Sequence, residues 1–193
     1  MIKTNKAILI SIRPRHVADI LNGKKTLEIR KKIPNCKLPI DVYIYCTKTG
    51  ALLFKEQSTN TYWAEEQNKN YRPKYALNGL VVAKFTLKKI EKINSYLEPE
   101  QWYMTRELGG GKLLEKSCLS FSKLDDYLFG GDGYAWHIDN LEIFDKPKEL
   151  SEFSIKNCKT CKANDGSCYF KDECSGIPLT KAPQSLCYVE VSK

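Results

Sequence analysis

Residues 7–30, AILISIRPRHVADILNGKKTLEIR, spell a strand, a helix and a second strand, each with its own punctuation. In AILISIR (7–13), Ile8, Ile10 and Ile12 alternate with Ser11 and Arg13, the period of two that an extended chain shows when one face is buried. Pro14 fits the first position of a helix, where its missing N–H is not needed. Val17, Ile20 and Leu21 recur at three and four residues and give that helix one apolar stripe. Gly23 stops it, because a left-handed residue after the last turn suits glycine. TLEIRK (26–31) returns to strand spacing, with Thr26, Glu28 and Arg30 on one face and Leu27 and Ile29 on the other. Such a polar row is either a solvated strand face or the floor of a charged pocket. In a pocket, Lys25 at the turn would join it; inward charges are costly unless paired, so a Glu28–Arg30 or Glu28–Lys25 pair is the alternative to a row that binds a ligand.

Further strands are expected at 41–47, 80–88, 138–145 and 186–191, all rich in β-branched or aromatic residues. Helices are expected at 99–107 and 122–129. The polar run 55–79 reads as a loop or a loop with a weak helix. LGGGK (108–112) reads as a flexible turn: it has no hydroxyl after its lysine and no apolar strand before it, so it is not a Walker phosphate loop. Several strands, short helices and long loops together imply an α+β fold around a small β-barrel.

The chain has 193 residues, enough for a single domain, and is 42% hydrophobic and 28% charged. Its 31 basic and 23 acidic side chains leave a net charge of +8, which favours a polyanionic partner, nucleic acid before an anionic membrane surface. No apolar run approaches the ~20 residues of a membrane span, and the basic N-terminal stretch has no small-residue cleavage site. The expected location is therefore the cytoplasm, with no membrane partner.

Reduced thiols are the rule there, so eight cysteines call for something other than disulfides. Cys158, Cys161, Cys168 and Cys174 follow a C-x2-C-x6-C-x5-C spacing, which suits a structural Zn²⁺ in tetrahedral thiolate coordination. Disulfides, an iron–sulfur cluster and a redox CxxC are the alternatives for the same residues. The segment is poor in apolar residues, so metal would fold it; it is read as a Cys-rich insertion over 154–180 within one domain spanning 1–193. Cys46 and Cys187 sit in strand-like runs and read as small core residues.

The strand, the Pro-started helix ending in DILNG, and Gly23-x-Lys25-x-x-Glu28-x-Arg30 resemble the signature of the ASCH domain, in the PUA-like barrel superfamily. YAWHI (134–138), FDKPKELSEF (144–153) and APQSLCYVEV (182–191) resemble the late and closing strands of phage and prophage ASCH proteins. The resemblance implies a small PUA-like barrel with a cleft beside the first helix, lined by Lys25, Glu28 and Arg30 and accepting RNA or a nucleotide. Arg13, Thr26, Tyr134 and Trp136 complete the expected ligand-binding set, the aromatics as stacking surfaces. Trp63, Tyr71 and Tyr75, interleaved with Arg72 and Lys74, either stack bases too or pack their loop onto the barrel.

Two readings follow for the cleft, a reader of RNA or a hydrolase of RNA or of a modified nucleoside. In the hydrolase, Lys25, Glu28 and His137 would be the catalytic candidates, with Lys25 at the phosphate, Glu28 the general base and His137 the acid. A structural histidine with a satisfied ring is the alternative for His137, and His16 is read as exposed and structural. Some ASCH-like proteins are amidohydrolases of N4-acetylcytidine with a threonine nucleophile where this chain has Glu28. A carboxylate does not replace a hydroxyl nucleophile without a change of mechanism, so that activity is not expected.

Overall fold

The computed structural model describes residues 4–66, 75–96, 102–155 and 176–192. Strand β1 (Thr4–Ile12) leads into helix α1 (Pro14–Leu21) and then β2 (Leu27–Arg30) and β3 (Ile40–Cys46). A hairpin of β4 (Leu52–Glu56) and β5 (Thr61–Glu65) precedes β6 (Val81–Leu87), β7 (Ile90–Tyr96) and β8 (Trp102–Met104). Helices α2 (Gly110–Ser117) and α3 (Phe121–Leu128) lead to β9 (Gly133–His137) and β10 (Asp139–Lys148). Strands β11 (Phe153–Ile155), β12 (Ile177–Pro178) and β13 (Leu186–Ser192) complete the order.

One sheet runs β10-β6-β3-β1-β13-β11-β12 and a second runs β2-β9-β7-β8. They share a ribbon. β6 continues into β7 and β9 into β10, yet β6 pairs with β10 in the first sheet and β7 with β9 in the second. The ribbon changes sheets near residues 87–90 and 137–139, where the His137 N–H donates to the Lys89 carbonyl at 3.0 Å. The outcome is a curled, half-barrel sheet with few helices, each of eight residues. None of the described helices is long and apolar enough to cross a membrane.

Central placement between β3 and β13 buries β1 on both faces. Ile8, Ile10 and Ile12 pack with Val17 and Ile20 of α1 and with Val42, Ile44, Phe85 and Trp136. The opposite face, read as polar from Ser11 and Arg13, is apolar at Ala7 and Leu9, which meet Tyr43, Tyr45, Phe153 and Val189. On the second sheet, Leu27, Ile29 and Ala135 pack against Leu113 of α2 and Leu124 and Leu128 of α3. That sheet therefore has one face toward the α2–α3 pair and the other toward the main core.

Three expectations change. The span 99–107 contains β8, not a helix: Trp102 and Tyr103 favour extended backbone, and β8 pairs antiparallel with β7. LGGGK is no free turn but runs into α2, whose glycines occupy the start while Leu113 and Ser117 are buried; glycine is tolerated at an N-cap. The run 55–79 begins inside the β4–β5 hairpin and contains all of β5, which lies over α1. Asn22, at the end of α1, fixes it by accepting from the Tyr62 N–H (2.9 Å) and donating to the Tyr62 carbonyl (2.6 Å).

Asn22→Ala leaves both backbone groups of Tyr62 without that partner. The expected loss is about 1–3 kcal/mol, read as a lower urea midpoint at unchanged slope. An unchanged midpoint would mean that the clamp contributes nothing.

Candidate functional site

The turn after α1 sets the site. Gly23 adopts φ +72°, and the N–H groups of Lys24 and Lys25 both donate to the Asp19 carbonyl at 2.9 and 3.0 Å. The Thr26 N–H then donates to the Lys116 carbonyl at the end of α2 (2.9 Å). The chain is thus pinned between two helices just before β2, and Lys25 is turned inward.

Lys25, Glu28 and Arg30 form a buried triad, 2%, 8% and 7% exposed. Glu28 lies between the two cations, with Arg30 Nε 3.0 Å from Oε1 and Lys25 Nζ 3.4 Å from Oε2. Both pairs, the alternative to an open ligand-binding row, therefore form at once. Lys25 Nζ also donates to the Ser117 carbonyl at 2.7 Å, where the C-terminal end of a helix favours positive charge. The Arg30 guanidinium donates to the Ser11 carbonyl at 3.0 Å and to Ser185 Oγ at 3.2 Å. It thereby joins the end of β1 to the approach to β13.

The strand register brings two aromatics to the same face. Glu28 is paired with Trp136 and Arg30 with Tyr134. Trp136 is fully buried in the main core and Tyr134 half-buried. Thr26 stands exposed at the edge, and Arg13, also exposed, precedes α1, where its carbonyl accepts from Val17. His137 lies on the opposite face of β9 from Trp136 and is not part of the triad. Trp63 and Tyr75 pack against Phe54, with ring centroids 4.5 and 5.5 Å apart; Tyr71, Arg72 and Lys74 lie outside the described residues.

Two residues not assigned to the site by the sequence border it. His16 is half-buried, not exposed. Burial and the Lys25 charge push its imidazole below the ordinary value, while Glu28 and Asp19 act the other way. The place of His16 is legible only in part: position 16 lies one turn before Ile20 on α1, but which side faces β2 depends on the turn. Tyr127 of α3 feels both Arg30 and Glu28, and burial raises its phenol. The Lys31 backbone hydrogen-bonds to it, and Lys31 Nζ stands 5.4 Å over its ring. Lys123, one turn earlier on α3, acts on His16.

A separate polar network surrounds Glu91 on β7. Its carboxylate meets His137 Nε2 at 2.6 Å, Lys89 Nζ at 3.2 Å and the Thr105 hydroxyl, while Lys89 also bridges to Glu107. Burial pushes the Glu91 carboxyl up, but the hydrogen bonds from Thr105, His137 and Lys89 outweigh it and hold the group below its ordinary value. His137 Nε2 is thus engaged by Glu91. Cys158, Cys161, Cys168 and Cys174 lie outside the described residues. Cys46 is buried, and burial pushes the Cys187 thiol up to about 11.

No protein-family model and no curated protein matches the chain. Among solved structures, the ASCH protein of Zymomonas mobilis is similar, with a TM-score of 0.51 at 19% identity over 94% of this chain and 86% of that one. Two single-substitution variants of that protein give TM-scores of 0.50 at 19% and 18% identity, covering 95% and 94% of this chain and 90% and 87% of theirs. The fold is therefore that of the ASCH domain.

Removing the central carboxylate leaves two buried cations uncompensated, so Glu28→Ala is expected to cost about 3–5 kcal/mol in chemical unfolding. A loss near zero would mean the triad is hydrated rather than buried. The Glu91 network has a pH signature. A carboxyl held low in the folded state stabilises above the ordinary value of 4.5 and loses that contribution as pH falls through the folded value. The stability gap between wild type and Glu91→Gln should close below that pH, and a gap constant from pH 7 to 3 would contradict the assignment.

Proposed function

We propose that this ASCH-fold protein binds RNA or a nucleotide through the surface over Lys25, Glu28 and Arg30, the GxKxxExR residues. The supporting observation is the triad itself, a carboxylate held between two cations at the edge of a sheet. Apolar side chains of similar volume would often stabilise such a place as well or better. A fixed charged group suits recognition, where orientation before binding reduces the entropy lost on binding. The net charge of +8 adds long-range attraction for a polyanion.

A hydrolase of RNA or of a modified nucleoside at the same place is the second reading. It is favoured by the 3.4 Å between Lys25 Nζ and Glu28 Oε2, within reach of proton exchange. Two observations weigh against it. The Lys25 ammonium is the least exposed of the three and is engaged by Ser117, and His137 stands across the sheet with Glu91.

Cys158, Cys161, Cys168 and Cys174 are proposed to hold one structural Zn²⁺ and so to fold the 154–180 insertion in a reducing cytoplasm. The flanks of this segment suit a closed excursion, since Ser154 pairs with Pro178 and Ile155 with Ile177.

Fluorescence anisotropy with a short single-stranded RNA tests the binding reading. Log Kd should rise linearly with log salt, and Arg30→Ala, checked for folding by circular dichroism, should weaken binding about tenfold or more. RNA recovered intact supports the reader; cleavage abolished by Lys25→Ala supports the hydrolase. Elemental analysis should find about one zinc per chain, lost when the four cysteines become serine; a purified chain without zinc would overturn the metal proposal.

A further inference from the structure

We infer that the open end of the second sheet is a stacking platform for single-stranded RNA, with Tyr134, Tyr96 and Trp102 taking bases and Lys92 standing among them. This rests on the reading that the protein binds RNA or a nucleotide, and it extends the RNA path beyond the triad onto a surface that needs no cavity.

Strand register puts these side chains on one face. Arg30 on β2 pairs with Tyr134 on β9, and Tyr134 pairs with Lys92 on β7. Alternation brings Asn94 and Tyr96 to the side of Lys92, and their partners on β8 are Met104 and Trp102. Deeper along the same face, Trp136 and Ile90 join the main core. Outward, the cover ends. Tyr134 is half-buried and Lys92 exposed, while Tyr96 and Trp102, a cross-strand pair, are 47% and 48% exposed. The four positions from Lys92 to Tyr96 lengthen the row by about 13 Å of extended backbone, room for more than one nucleotide.

The chemistry of the row selects the occupant. Lys92 Nζ meets Asp132 at 2.7 Å, and Asp132 accepts from the Ser95 N–H at 3.2 Å, so the ammonium is held in place on the sheet. It lies within electrostatic reach of both Tyr134 and Tyr96. Trp102 is steadied by the start of α2, where a Cβ on Gly110 would stand 3.9 Å from its ring. Protein interfaces exclude charged residues from the middle of their apolar core, so a lysine between aromatics does not suit a protein partner. A single strand offers flat base faces to the rings and phosphates to the cations, which is how sheet faces bind unpaired RNA. Arg106 and Lys32, both exposed, follow Met104 and Arg30 by two residues and add positive charge at the flanks. A duplex keeps its bases stacked on one another and has no faces to give.

Binding of a short oligouridylate at low salt, alone and annealed to oligoadenylate, tests the inference by anisotropy and by tryptophan quenching. Tyr96→Ala and Trp102→Ala should each weaken the single strand about tenfold, and Trp102→Phe should keep most of the affinity. The duplex should bind wild type more weakly and ignore these substitutions. Stacking on Trp102 quenches its emission, so the quench should shrink in Trp102→Phe although binding persists. Where an alanine variant fails to fold by circular dichroism, Lys92→Gln carries the test and should lower the salt slope by about one. If the single strand binds wild type and the folded variants equally, the platform is wrong while the RNA reading stands. Variants that lose self-association in sedimentation but keep their RNA affinity overturn it as well, since the face is then a contact between copies of the chain. If no RNA binds wild type, both fall.

Discussion

A carboxylate with less than a tenth of its residue surface in water is costly to bury without cations beside it, and Glu28 draws four parts of the chain together for that reason. Lys25 reaches it from the turn after α1 and at the same time caps the end of α2 through the Ser117 carbonyl. Arg30 reaches it along β2 and grips Ser11 on β1 and Ser185 before β13. Neither cation is held by Glu28 alone. The carboxylate therefore orients two donors that already serve as backbone ties, and moving any one of the four segments disturbs all three charges.

Strand alternation keeps this triad apart from the second charged network. Trp136 and His137 are neighbours in sequence, yet Trp136 faces the main core beside Glu28 and His137 faces the other way, to Glu91. The sheet lies between them and screens one carboxylate from the other's partners. A histidine adjacent to a tryptophan is thereby placed on the opposite face by a single step of the pleat.

The local devices were legible because each has a short-range cause. Pro14, Gly23 and the stripe of Val17, Ile20 and Leu21 give α1, and the alternation at Leu27 and Ile29 gives β2. The pairing of Glu28 with Lys25 and Arg30 was legible only as the alternative to a ligand-binding row, from the cost of burying charge. What remained hidden depends on distant contacts. Trp102 and Tyr103 form a strand because β7 lies beside them, and glycines 109–111 begin a helix because Leu113 finds a core under β2. His16 and Tyr127 reach the triad only through the packing of α1 and α3 around it, which no spacing within either helix reveals.

The hold of Arg30 on Ser185 spans 155 positions of sequence. A ribosome releases Gly23 through Arg30 early, when Ser11 is already present but Ser185 is not, so the guanidinium can first close onto β1 and only later onto the approach to β13. Because chains emerge from the N-terminus at about 5–20 residues per second, the charged triad would spend roughly ten to thirty seconds of synthesis incompletely satisfied. Ser185 then supplies the last of the hydrogen-bond partners of Arg30.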